Sequence, residues 1–317
     1  MIFLATNNGI VNVDPDDGMR ITGRSLEGQS VTAAAGADKF VFAGTRNGLF
    51  RSEDRGQTWM EVTPGLRHPH VRWLAVHPER PSQVYCGTEP AAILTTSDNG
   101  VNWTECVEVA QLRDRFHWSL PYSPEAGCVR GFAFHQERGY AAVEVGGALV
   151  SDDGGRTWQL AGGSDGRPSF ASPPEGFVHP DVHSISVHPS SPELVYAPTG
   201  GGFYRSSDGG QSWQCYYNCY VRACWVDPLD SDHIVLGPAS GVDRGGRIEE
   251  TRDGGKTWEP APDGLNVPWP NHMVERFTAV EGGLLAALSN GAVLFRPEKG
   301  GTWQSVFEDA GSVNAIA

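Results

Sequence analysis

The chain has 317 residues, 39% of them apolar and 20% charged, so it can bury a core and is not disordered by composition. Lys and Arg number 24 against 38 Asp and Glu, a net charge of −14. Duplex nucleic acid and an anionic membrane are therefore not expected as partners, and only a local basic patch would hold an anion. Gly (40) and Pro (22) are abundant, which predicts many turns and argues against a helical bundle.

The chain opens on Met1 to Thr6, a short apolar strand without the basic start and long apolar core of a secretory signal. No later run approaches the roughly 18 apolar residues of a membrane helix. The six cysteines (Cys86, Cys106, Cys128, Cys215, Cys219, Cys224) are too sparse for a disulfide framework. They read as reduced thiols, and the chain is expected to be cytoplasmic.

Asp14 to Gly18, DPDDG, is the remnant of a segment that recurs along the chain. Ser52 to Trp59 reads SEDRGQTW, Ser151 to Trp158 SDDGGRTW, Ser206 to Trp213 SSDGGQSW and Thr251 to Trp258 TRDGGKTW. Looser copies are TSDNGVNW (Thr96 to Trp103) and RPEKGGTW (Arg296 to Trp303). The tryptophans are separated by 44, 55, 55, 45 and 45 residues, the length of one four-stranded blade with two longer insertions. In each copy the Asp can accept N–H bonds within its own turn, the Gly supplies backbone angles other residues avoid, and the Trp pins the hairpin.

An inner-strand segment precedes each copy, and its valine recurs as Val31, Val71, Val129, Val182, Val221, Val274 and Val313. The last segment stops at Ala317, before its second strand, whereas the chain begins with a second strand. The C-terminal strand is therefore predicted to complete the N-terminal blade, leaving no open edge. The expected fold is an all-β, seven-bladed β-propeller forming one domain over 1–317. Its blades are expected near 312–317 plus 1–27, 28–63, 70–108, 128–161, 181–217, 221–260 and 273–307.

The pattern S-x-D-x-G-x-T-W resembles the Asp-box, or bacterial neuraminidase repeat. Asp-box propellers include sialidases, xyloglucanases, sortilin-type receptors and a photosystem II assembly factor, so the resemblance implies a fold and no single activity. Gly87-Thr88-Glu89-Pro90 and Asp181-Val182-His183 stand as in the bacterial single-propeller proteins often named glycosyl hydrolase or sialidase-like by the repeat alone. A sialidase itself is not implied: Phe295-Arg296-Pro297 lies late and lacks the Ile of the sialidase motif, and those enzymes have six blades. By resemblance, ligand sites lie on the face of the blade-to-blade connections and the Asp-boxes on the other.

That division sorts the histidines. His77, His135 and His188 end inner strands, with Asp227 in the same place and His233 in a similar hairpin, and read as turn residues on the Asp-box face. His68, His70, His117, His179, His183 and His272 fall in blade-to-blade connections. The residue after each valine forms a ring at the channel mouth: Thr32, Arg72, Arg130, His183, Arg222, Glu275 and Asn314. The residue before it includes His70, Cys128, Asp181 and Tyr220. Arginines near the axis are either paired internally by Asp181, Glu275, Glu89 and Glu144, or form a site for a carboxylate or phosphate, which the guanidinium fork suits.

Glu89 and Glu144 each stand nine residues before the Asp of their box, on neighbouring blades. They could act as acid and base, or ligate a divalent metal with His70, His117 or His183, although no metal-ligand spacing is present. The connections 107–127 and 161–180 are expected as irregular loops. Trp118 in the first, and Trp269, either stack on a ligand or cover the loop beneath.

Two functions follow. In one, a hydrolase- or lyase-type enzyme holds a small polar or anionic substrate with Arg72, Arg130 and Arg222, flanked by Asp181, Tyr220, His117 and Trp118. There His183 or His70 moves a proton, and Glu89, Glu144 or Glu275 serves as base, acid or metal ligand. In the other, the chain is a non-catalytic binding or protein-assembly propeller. The concentration of titratable groups in one funnel supports the first, which is the preferred reading, and the lack of a Ser/His/Asp, phosphate-loop, dinucleotide or zinc motif supports the second. Cys128 and Cys219 read as passive small residues.

Overall fold

Apolar runs separated by Gly-, Asn- and Asp-rich turns become seven four-stranded antiparallel sheets in a computed structural model. The structure describes every residue except 63–65, 121, 123–126, 170, 262–263 and 299–300, so two positions of the last, loosest box copy lie outside the described residues. The molecule is a seven-bladed β-propeller. Val313–Ile316 pairs with Ile2–Thr6 in register Leu4↔Ile316 and Ala5↔Ala315, which closes the ring as the repeat pattern predicts. Backbone bonds between Phe3 and Ala317, 2.8 and 2.9 Å, extend the seam.

The inner strands share a defect that builds the site. Val31 pairs with Thr45 and Ala33 with Gly44, so Thr32 between them has no cross-strand partner. The same one-residue slip leaves Arg72, Arg130 and Glu275 out of their ladders, and a slip between Val221 and Cys224 spans Arg222. A bulge re-aims the extra residue, here out of the sheet and toward the channel.

The valine beside each bulge locks neighbouring blades. A Cβ on Gly44, Gly87 or Gly237 would sit 2.3, 2.7 or 2.6 Å from the side chain of Val71, Val129 or Val274 on the next blade, so only glycine permits that approach. The valine carbonyl is bonded as well: Thr32 Oγ1 donates to Val71 at 2.6 Å, His183 Nδ1 to Val221 at 2.8 Å and Asn314 Nδ2 to Val31 at 2.8 Å.

On the opposite face the boxes make the turns expected of them. Asp153 Oδ1 accepts from Ser151 Oγ (2.8 Å) and from the N–H groups of Arg156 (2.9 Å) and Thr157 (3.0 Å), and Oδ2 accepts from Thr157 Oγ1 (2.7 Å). Trp158 is buried against Phe132 and Phe134, and its Nε1 donates to Gly155 at 3.0 Å.

Two elements differ from expectation. The connection 107–127 opens with a helix, Val107–Phe116, because Val109, Leu112 and Phe116 fall on one face and pack into the core of the third and fourth blades. The inner strand of the fifth blade is regular only over Ser186–His188, and Val182 makes an isolated bridge to Thr199. There Pro198 accepts from His183 N at 2.9 Å but has no N–H to return, so the ladder is one-sided.

Candidate functional site at the channel mouth

Side chains from four blades, and Tyr122 from the connection before the fourth, join in one polar network. Glu275 accepts from Arg222 Nη1 and, at 3.2 Å, from Arg130 Nη2. Arg130 Nη1 reaches Glu144 Oε2 at 3.2 Å, and Glu144 also accepts from Tyr122 OH and Cys128 Sγ, each at 3.1 Å. Arg222 Nε donates to Tyr220 OH at 3.0 Å. The Tyr220 hydroxyl lies 3.5 Å from His183 Nε2, which is 3.2 Å from Asp181 Oδ2. Glu144, Asp181 and His183 are buried and present one ligand atom each within 4.8 Å of one another, a cluster capable of coordinating a metal.

Burial pushes the Glu144 and Glu275 carboxyls up, but the facing cations win. Arg130 holds Glu144 well below the usual carboxylate range, and Arg222 and Arg130 hold Glu275 down. Asp181 is lowered in the same balance by His183. Burial, reinforced by Glu144, raises the Cys128 thiol far above its usual value. Burial likewise raises Tyr220.

A second patch lies beside the first. Glu89 Oε2 is 3.5 Å from Arg72 Nη1 and 3.7 Å from His70 Nδ1. Burial, then Arg72, lower the His70 imidazole and favour its neutral form. Between the patches is a cavity of about 270 Å³ walled by Arg46, Arg72, Trp73, Arg130, Glu275 and Arg276.

Arg276 and Arg46 escaped the sequence reading. Arg276 lies 3.6 Å over the Trp73 ring, and no carboxylate pairs with it among the described residues. Burial and the charge on Arg130 lower its guanidinium to about 10. Arg46 is an exposed loop residue, likewise without an ion pair among the described residues. Its signal was topological: the loop between the second and third strands of a blade shares the mouth face.

His183, Glu144, Glu275, Arg130, Arg222, Asp181 and Tyr220 thus gather, with Arg72, His70 and Glu89 alongside. The metal set expected from His70, His117, His183 and Glu89 does not gather: His117 is an exposed helix cap in the left-handed conformation (φ 55°), outside the clustered group. Trp118 is no stacking platform, because it is buried and its Nε1 donates to Gly166 at 2.7 Å, covering the loop beneath. Trp269 stacks on His272 at 4.9 Å.

Fold and site together define a seven-bladed propeller with Asp-box turns on one face and a charged mouth on the other. Known proteins agree with that class: a BNR/Asp-box repeat model matches residues 149–160. The photosystem II assembly protein Ycf48 of Thermosynechococcus vestitus is 28% identical over 82 residues, 26% of this chain and 24% of its own length. A probable oligoxyloglucan-reducing end-specific xyloglucanase of Neosartorya fischeri is 22% identical over 301 residues, 78% of this chain and 34% of its own. The chain thus spans about a quarter and a third of these curated relatives. Among solved structures, YCF48 from Cyanidioschyzon merolae superposes with a TM-score of 0.65 at 15% identity, covering 94% of this chain and 91% of that one. YCF48 bound to D1 peptide superposes with a TM-score of 0.59 at 15% identity, covering 89% and 83%. At such identities these structures bear on the fold alone.

Two expectations are corrected by these matches. The cytoplasmic assignment gives way to the likeness to a photosystem II assembly protein. Its physical basis was weak: six free thiols, three of them buried, do not by themselves report a compartment. The hydrolase label gives way too: the curated relative Ycf48 is named a photosystem II assembly protein, and the two YCF48 structures share the fold over most of both chains. No helix among the described residues is long and apolar enough to cross a membrane.

Proposed function

We propose that this protein is a non-catalytic binding propeller that takes an acidic segment of a partner protein at its mouth. The observation that carries this is Arg276, a cation beside Trp73 with no carboxylate partner among the described residues, walling the same cavity as Arg46 and Arg72. An entering carboxylate would supply the missing counter-charge, and the guanidinium groups offer bidentate geometry. The groups first suited to catalysis are otherwise engaged. Glu144 and Glu275 are held ionised by arginines and have no proton to give at neutral pH, and the Cys128 thiol is held protonated. A peptide in a YCF48 structure of the same fold makes a protein segment the favoured form of the small anionic ligand.

The test is titration with acetyl-Ala-Ala-Asp-Glu and its fully amidated counterpart, followed by calorimetry and Trp73 fluorescence. The acidic peptide is expected to bind, more weakly as salt rises, and Arg276→Met with Arg72→Met to weaken it by about tenfold or more. Equal binding of both peptides, or binding unaffected by both substitutions, would overturn the proposal.

A further inference from the structure

We infer that Glu144, Asp181 and His183 form a site for a divalent first-row transition metal, with Zn²⁺ the best fit to one imidazole and two carboxylates. The argument begins with the tautomer. His183 Nδ1 bonds the carbonyl of Val221 at 2.8 Å, and a carbonyl only accepts, so Nδ1 carries a proton. A neutral ring then presents its lone pair at Nε2, 3.2 Å from Asp181 Oδ2, with the Tyr220 hydroxyl a longer contact at 3.5 Å. Two lone pairs facing each other inside a protein repel, so a cation belongs between them. That cation is either a second proton on the ring or a metal.

The surroundings favour the metal. Asp181 is only 7% exposed, and its Oδ1 is buried with no hydrogen-bond partner. A proton on Nε2 would serve Oδ2 and leave Oδ1 orphaned, at the cost that makes such groups rare. A metal can engage the carboxylate as a whole and draw in Glu144, which a single ring proton does not reach in common with Asp181.

The supporting contacts are those that orient metal ligands. The Val221 carbonyl fixes the ring, Tyr122 OH and Cys128 Sγ steady Glu144, and the Asp181 N–H donates to His179 Nδ1 at 3.2 Å. Gly200 leaves room for the Asp181 head, since a Cβ there would stand 2.2 Å from Oδ2. Arg130 and Cys128 both donate to Glu144 Oε2 and Tyr122 to Oε1, so one lone pair of Oε1 remains for coordination. Two carboxylates and a divalent ion sum to zero charge, and three protein ligands leave a coordination position open.

The full chain, stripped with chelator and dialysed, is titrated with Zn²⁺ by calorimetry and with Co²⁺ by visible absorption. The wild type is expected to bind one equivalent, and the Co²⁺ spectrum should show the strong bands of a low-symmetry four- or five-coordinate site. Asp181→Asn and Glu144→Gln should each weaken the metal by at least about tenfold, with His183→Gln stronger still, while His117→Ala leaves it unchanged. Folding of each variant is checked by circular dichroism. The Co²⁺ spectrum of the wild type tests the site even if a variant fails to fold. No saturable binding by folded wild type, or binding that survives both Asp181→Asn and Glu144→Gln, would overturn the inference. So would a metal-free His183 whose two ring nitrogens both carry protons at pH 8 by ¹⁵N NMR. Peptide binding through Arg276 and Arg72 is read separately, so failure of either proposal leaves the other standing.

Discussion

Glu275 is the residue through which the charge balance of the mouth can be measured. It is the shared acceptor of Arg130 and Arg222, with its side chain 21% exposed. Glu275→Gln keeps the shape and removes one negative charge. Arg130 retains Glu144, but Arg222 keeps only the Tyr220 hydroxyl. Breaking a buried ion pair by removing one partner costs roughly 3–5 kcal/mol. With one arginine still paired and the channel open to water, about 2–3 kcal/mol is expected here. For a chain of this size that lowers Tm by about 3–5 °C. The same change should raise affinity for the acidic peptide about tenfold, because two guanidinium groups lose a competing carboxylate. Differential scanning calorimetry and peptide titration give the two numbers. A variant as stable as wild type, or one that is destabilised yet binds the peptide less well, would refute the account of the mouth as two cations held by one anion.

Two further outcomes test the frame and the far face. Gly87→Ala places a methyl 2.7 Å from the Val129 side chain and should cost about 1–3 kcal/mol in a denaturant titration. Val129→Ala in the same chain should recover part of it, and an additive pair would exclude the packing explanation. On the Asp-box face, His233 holds the Glu250 carboxyl down to about 2, helped by Arg296, and Glu250 in turn raises His233 above its ordinary 6.5. The depressed carboxyl contributes stability above about pH 4.5 that is lost as pH falls toward 2. The raised imidazole contributes below pH 6.5, and that part is lost as pH rises through its folded value. The difference between wild type and His233→Gln should therefore be largest near pH 5.5. A difference that grows at pH 8 would contradict the pairing.

The repeat made the ring legible, because a box tryptophan and an inner valine each recur once per blade, and chain ends that supply complementary strands leave few ways to close a sheet. The mouth was legible for the same reason: the residue after the valine is polar in every copy, and the bulge that turns it inward is a local event. Arg276 was not legible, because strict alternation would place it with Trp73 and Ala33, on the other side of the strand from Glu275. The bulge at Glu275 relaxes that alternation, so consecutive residues both reach the cavity. The grouping of Glu144 with Asp181 and His183 was hidden by distance along the chain. One ends the second strand of its blade and the others begin the next, and only the packing of adjacent blades brings them within 4.8 Å. The helix over Val107–Phe116 was hidden by its weak amphipathicity: Val109, Leu112 and Phe116 pack inward, but Val107 is exposed and charged residues interrupt the pattern.

The two halves of the mouth are unequal, and the inequality bears on how a partner would be oriented. On one side Arg130 and Arg222 are neutralised by Glu144 and Glu275 before anything arrives. On the other, Arg276 and Arg46 have no carboxylate among the described residues, and Arg72 meets Glu89 at 3.5 Å without a hydrogen bond. An anion gains little on the first side, where it must compete with fixed carboxylates in a partly desolvated site. It gains most where guanidinium groups already stand without a close partner, having lost part of their hydration to the channel wall. A partner's acidic group should therefore enter over the second and third blades, with Trp73 beneath it. The carboxylates of the fourth and seventh blades then act as a repulsive wall that sets its direction.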